Sequence, residues 1–358
     1  TRALYLWDGD ILFPTGQDWS WKSYAQTEYL CWQRLSRGQA AAGAFESRGI
    51  QMALKRQLAV GTGALGYSNF GNNTTKPNKW AFSYLCHKHA DAQEPISMEE
   101  AHKKSLGVYV FPHVQVAIHR APKKCVSVSW HKRHQPIYVL PEGDSTFTDP
   151  PFFFPCDRDA GGLRITPAAP DKQAGRPPRW SEIRLLEAKS THDGEGMRVR
   201  YTRSRKDGIT QYVAVVSLPD EATLYCTAFR AAEDGSWRIR SPFHYRAATI
   251  QGFPMRLESH RGRHWLNLSD HVGFVSSEPL PAELRPGRFH AMGERTFRAK
   301  AGAWFGRLAV AVYAQQPHDL TEKMAGSFGL LEDDAPGRMS VELKSSSGRS
   351  MLHIGLPK

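Results

Sequence analysis

Three imidazoles and a guanidinium fall at even spacings within Gly107–Arg133, GVYVFPHVQVAIHRAPKKCVSVSWHKR: His113 and His119 in one run, His131 and Arg133 in the next. Imidazole gains and loses a proton near neutral pH and so serves general acid or base work. Guanidinium presents a planar fork of donors that matches carboxylate and sulfate. Brought onto one surface, such groups can hold an anion and move a proton beside it.

Strands would be needed to position them. From Val114 to Arg120, Val114, Val116 and Ile118 alternate with His113, Gln115, Ala117 and His119, the period-2 pattern of a half-buried strand. After Ala121-Pro122-Lys123-Lys124, Val126, Val128 and Trp130 alternate with Ser127, Ser129, His131 and Arg133. The two runs read as a hairpin. Matching their apolar faces requires an odd number of residues in the connection. The opposite face then collects His113, Gln115, His119, Ser127, Ser129, His131 and Arg133, and it is either an open solvated face or a site.

The 358-residue chain carries 47 Lys and Arg against 35 Asp and Glu, a net charge of +12. An anionic partner follows: nucleic acid, an acidic polysaccharide or a membrane surface. No Lys/Arg block, zinc-knuckle spacing or RNA-binding signature favours nucleic acid. The basic residues are instead spread among ten Trp and twelve Tyr, which suits sugar rings bearing carboxylates or sulfates. No apolar run approaches the roughly 20 residues that span a bilayer. Cys31, Cys86, Cys125, Cys156 and Cys226 are too widely separated to mark a metal site or disulfide framework. His260 and His264 lack the further ligand a metal would need, so no metal and no cofactor is expected. The sequence opens at Thr1 in strand- or helix-like residues, which suggests that an N-terminal portion precedes it or lies on another chain.

Residues 1–63 read as helical, with Asp18 as N-cap and Trp21, Ala25, Tyr29 and Trp32 on one face, followed by a second helix over Gln39–Val60. Residues 64–78, ALGYSNFGNNTTKPN, form a polar Gly/Asn-rich linker loop. Residues 79–358 contain almost only strand-like runs, with one helical stretch at Met98–Lys104 and an irregular Pro/Asp/Gly-rich excursion over Asp144–Arg179. The expected fold class is therefore mainly β, a large antiparallel sandwich preceded by a short α-helical segment.

A helical hairpin bearing FPTGQDWSWKSY, then an Asn-rich loop, then an all-β region opening with HVQVAIHR and VSVSWHKR resembles the polysaccharide lyases of the heparinase II/III and chondroitin/hyaluronate lyase type. Those enzymes join an α/α toroid to an antiparallel super-sandwich. The resemblance implies that residues 1–63 are the end of a toroid, completed by an N-terminal portion or another chain. It implies secretion or a periplasmic location, and cleavage of a uronate-containing acidic polysaccharide by β-elimination, without nucleic acid or membrane as partner. Neutralising the carboxylate eases removal of the C5 proton, and a Tyr or His takes that proton. His113 or His119 matches by position the histidine that some members place early in the sandwich, both suit the neutralising role, and Tyr67 suits the base. Asn69 and Asn72 suit amide donors, and Gln17, Trp19, Arg48 and Arg133 suit substrate contacts. Bland readings stand beside these: Trp19 as core, Arg48 as a solvated helix face, the asparagines as turn formers. At the level of the whole chain the alternative is a non-catalytic carbohydrate-binding or structural sandwich.

Overall fold

The structure, a computed structural model, describes residues 96–130, 137–141, 152–155, 164–168, 180–191, 194–246, 255–260, 263–268, 272–277, 282–285, 288–314, 329–331 and 337–358. The helices expected over residues 1–63 and the linker 64–78 lie outside them.

Helix α1 (Met98–Ser105) starts where Ser97 Oγ accepts the Glu100 N–H at 3.1 Å, with Glu99 and Glu100 in its first turn and His102, Lys103 and Lys104 in its last. Both ends complement the helix dipole. Among the described residues twenty strands follow. β1 (Gly107–Phe111), β2 (Val116–Ala121), β3 (Lys124–Ser129) and β4 (Ile137–Pro141) form a four-stranded antiparallel sheet in that order. β5 (Phe152–Pro155) and β6 (Arg164–Pro167) come next, then β7 (Trp180–Thr191), β8 (Gly196–Arg205), β9 (Ile209–Ser217), β10 (Ala222–Ala231) and β11 (Gly235–Arg246). β12 (Met255–His260), β13 (Arg263–Leu268), β14 (Val272–Ser276), β15 (Ala282–Arg285), β16 (Arg288–Ala299) and β17 (Trp304–Ala314) continue the chain. It closes with β18 (Gly329–Leu331), β19 (Arg338–Ser345) and β20 (Gly348–Gly355). An eight-stranded sheet runs β12-β13-β14-β17-β10-β9-β8-β7, a five-membered one runs β15-β16-β11-β5 with β6 also on β11, and a three-stranded one runs β18-β19-β20.

The eight-stranded sheet is the middle layer. Met197, Val199, Tyr201, Val213, Val215, Leu308 and Val310 on one face meet Ala117, Val126, Val128 and Val139 of the four-stranded sheet. Tyr212, Ala214, Cys226, Ala309 and Ala311 on the other face meet Met339, Val341 and Ile354 of the three-stranded sheet. A sheet buried on both faces needs apolar residues at successive positions, which is why YVAVV and LAVAV occur as runs in β9 and β17. The mainly-β class is therefore as expected, and the layers make it a stack of sheets.

One expectation needs correction, and one strand went unread. The stretch 144–179 is not wholly irregular, because β5 and β6 lie within it and pair with β11. The long strand β16 pairs with β11 over eleven positions although its sequence, RFHAMGERTFRA, offers no sustained alternation.

Gly306 sits at φ +61 inside β17, and a Cβ there would run into Ile239 Cδ1 and press on Phe229. Gly306→Ala is expected to destabilise by about 1–2 kcal/mol from the left-handed backbone plus about 1–3 kcal/mol from overpacking. Urea unfolding would measure it, and an unchanged midpoint would contradict this account.

Candidate functional site

His113 stands on the connection between β1 and β2. Pro112 fixes φ and lacks an N–H, so the chain cannot run on as a strand and instead makes one 3₁₀ turn over Pro112–Val114. Gln115 follows in the left-handed conformation at φ 57, its N–H donating to Pro112 O at 3.2 Å. Gln115 O then accepts the Trp130 N–H at 3.0 Å, which brings the exit of β3 beside the turn. His113 and Val114 are both exposed, Val114 by 51%.

His119 lies elsewhere. The β2–β3 connection is the two residues Pro122 and Lys123, an even number, so the register pairs Val116 with Ser129, Ile118 with Ser127 and His119 with Val126. The expected odd connection and common polar face are thus both corrected. Val108, His119, Val126 and Val139 form one cross-strand row. That row faces the eight-stranded sheet, and both faces of β2 and β3 are buried. His119 is 1% exposed, and its Nδ1 lies 2.7 Å from Ser217 Oγ in a hydrogen bond. Burial, with the charge of Lys124 adding to it, lowers the imidazole to about 3, outweighing a backbone hydrogen bond at Glu195 that favours the protonated ring.

Around His119 a buried polar network joins three turns. Lys124 is fully buried and donates to Ala222 O. Its burial lowers the ammonium to about 7 against the opposing pull of Asp220 and Glu221. Glu221, also fully buried, accepts from the Ser346 N–H and the Ser346 hydroxyl, each at 2.6 Å, with Lys123 Nζ at 3.6 Å. Burial works to raise the Asp220 carboxyl, but hydrogen bonds from Ser345, Ser347 and the Ala222 N–H hold it below its ordinary value. The β2–β3, β9–β10 and β19–β20 turns are therefore tied by charge-assisted hydrogen bonds at one end of the stack. At the far side of β2, burial and then the charge of Arg120 lower His102 to about 4.

Of the residues singled out from the sequence, His113 is placed on an exposed turn and His119 in the interior between two sheets. Tyr67, Gln17, Trp19, Arg48, Asn69, Asn72 and Arg133 lie outside the described residues. A cationic group went unremarked in the sequence: Glu187 on β7 receives Arg198 Nη2 at 2.8 Å, Arg200 Nε at 2.6 Å and Lys189 Nζ at 2.7 Å. The alternation of Arg198 and Arg200 around Val199 was its legible signal. Among the described residues no cluster of three or more His, Cys, Asp or Glu could hold a metal ion, and no helix is long and apolar enough to cross a membrane.

No protein-family model matches the sequence, and no curated protein does. Solved structures do, and the layered sheets define the class: the chain has a polysaccharide lyase-type fold. The chondroitin AC lyase of Streptomyces coelicolor A3, solved in complex with chondroitin sulphate, superposes with a TM-score of 0.51 at 14% identity, over 96% of this chain and 51% of that one. Heparinase III gives a TM-score of 0.45 at 9% identity over 99% and 62% of the two chains. The heparan sulfate lyase HepC from Pedobacter heparinus gives 0.45 at 8% over 100% and 60%. The likeness of fold is carried by the chondroitin AC lyase. The chain spans about half the length of the chondroitin AC lyase.

Proposed function

We propose that this chain is a polysaccharide lyase, or part of one, that cleaves a uronate-containing acidic glycan by β-elimination. The observation that carries the reading is the likeness of fold over 96% of the chain to an enzyme solved with chondroitin sulphate bound. The net charge of +12 supports an anionic substrate. In the reaction a base removes the proton at C5, the C4–O bond breaks as the C4=C5 double bond forms, and the departing oxygen takes a proton. Developing negative charge on the carboxylate must be met by fixed donors. His113, exposed on its turn, is the early-sandwich imidazole that can reach a polymer, either as such a donor or as the proton carrier. His119, enclosed between sheets, is assigned to holding them together. Tyr67 as base, Asn69 and Asn72 as amide donors, and Gln17, Trp19, Arg48 and Arg133 as substrate contacts belong to the same proposal. So does a toroid end over residues 1–63, completed by an N-terminal portion or another chain. The chemistry is acid–base throughout and calls for no cofactor, and a polymeric substrate suits a secreted or periplasmic enzyme.

The test is incubation of the full-length protein with a panel of uronate polymers, chondroitin sulphate included. Growth of the ultraviolet absorbance of an unsaturated uronate is expected with at least one of them, and silence with all would refute the reading. A second reading, a non-catalytic carbohydrate-binding sandwich, is favoured by the burial of His119, which leaves one of the two early-sandwich imidazoles accessible. Glycan binding with no absorbance change would select it.

A further inference from the structure

Arg198 and Arg200 alternate along β8 with Met197, Val199 and Tyr201, and the latter three face the four-stranded sheet that carries His113. The arginines therefore project from the opposite side of the middle layer. There the register sets Arg200 against Glu187 and Arg198 against Lys189, with Arg184 and Glu182 of β7 further along the same face. Four cations meet two carboxylates. Three of those cations converge on the single carboxylate of Glu187, whose side chain is 11% exposed, while those of Lys189, Arg198 and Arg200 are 55%, 34% and 29% exposed. Charge on an edge strand such as β7 discourages pairing with other chains, but balanced charge would serve that end equally well. The surplus is positive, within reach of solvent, and held in place by a carboxylate that orients both guanidinium groups before any ligand arrives.

We propose that Lys189, Arg198 and Arg200 form an anion-binding ledge on the far face of the eight-stranded sheet, a second site for a sulfate or carboxylate group of an acidic glycan. The sheet separates it from the His113 turn, so it retains polymer without taking part in bond cleavage. The class of ligand rests on the reading of the protein as acting on acidic glycans, while the existence of an anion site does not.

The experiment measures the affinity of the full-length protein for chondroitin sulphate and for inorganic sulfate, by calorimetry at low salt, in the parent and in Lys189→Ala, Arg198→Gln and Glu187→Gln. Loss of one charge-assisted contact is expected to weaken glycan binding about tenfold. Glu187→Gln removes the competing negative charge but keeps a side-chain oxygen that accepts from the guanidinium groups and so preserves their orientation; it is expected to tighten binding severalfold, a direction that a merely structural ion-pair cluster would not give. Unchanged glycan affinity in all three variants would overturn the proposal, as would weakened binding in Glu187→Gln. A response confined to inorganic sulfate would overturn the glycan assignment. Ledge-dependent binding without any uronate release would leave this proposal standing and sink only the lyase reading.

Discussion

Replacing His113 by alanine is expected to lower the rate of unsaturated-uronate release about 100- to 10,000-fold, the range that a positioned acid or base contributes, while leaving the unfolding midpoint where it was. The two halves of this expectation come from different features. His113 is exposed on a 3₁₀ turn whose shape is set by Pro112, by the left-handed Gln115 and by the Gln115–Trp130 backbone hydrogen bond, none of which uses the imidazole. Surface substitutions away from such features stay within about 0.5 kcal/mol. The loss of rate, by contrast, follows from the reacting carboxylate requiring a donor, or the C5 proton an acceptor, at that position. His113→Gln separates the two roles. A glutamine amide still donates a hydrogen bond to a carboxylate but cannot carry a proton, so partial activity in this variant identifies a neutralising donor and none identifies the proton carrier. Full activity in His113→Ala would remove the residue from the mechanism altogether.

Apolar patterning revealed strands whether their partners lie next to them in the chain or, as for β17 with β10, far from it. β8, β9 and β10 form a meander, and α1 announces itself by Ser97, by its acidic first turn and by its basic last turn. What could not be read was layering. His119 appears in a polar set because Gln115 precedes it by four residues and Ser127 and Ser129 lie across the turn, yet a strand covered on both sides has no polar face to belong to. The parity of the hairpin connection decides on which side His119 falls, and Pro122-Lys123 was legible only as part of a four-residue turn signal. β16 stayed hidden for a related reason. Its long pairing with β11 is a tertiary event, and Arg288, Glu294, Arg295 and Arg298 break any simple period within it. Buried charge was equally illegible: Lys124 and Glu221 look like turn residues until three turns are seen to meet.

Acid should unfold this protein through His119. The ring sits at about 3 in the folded state against an ordinary 6.5, and His102 sits at about 4. Both are lowered, so between pH 6.5 and these values the unfolded chain binds protons that the folded chain refuses, and stability falls as pH falls. Each pH unit costs about 1.4 kcal/mol for one such group. Descending from pH 6.5 to 3.5, His119 alone removes about 4 kcal/mol, a large share of the roughly 5–15 kcal/mol that holds a domain together. Asp220 acts in the same direction lower down, its lowered carboxyl losing its hydrogen-bonded charge as it protonates. Lys124 acts in a different window. Lowered to about 7 from 10.5, it makes stability rise with pH between those values and contributes no slope below the lower one. The acid limb therefore belongs to the imidazoles and carboxylates. Urea titrations from pH 4 to 8 on the parent and on His119→Gln would separate them, because glutamine retains a hydrogen-bonding partner for Ser217 but takes up no proton. The variant is expected to be less stable at pH 8 and to show a shallower acid slope, and equal slopes would show that His119 is not the acid-sensitive group. The consequence for function is specific: His119 and Ser217 tie the sheet that carries the His113 turn to β9, so the loss of activity at acid pH should follow the unfolding signal in the parent and move to lower pH relative to neutral activity in His119→Gln.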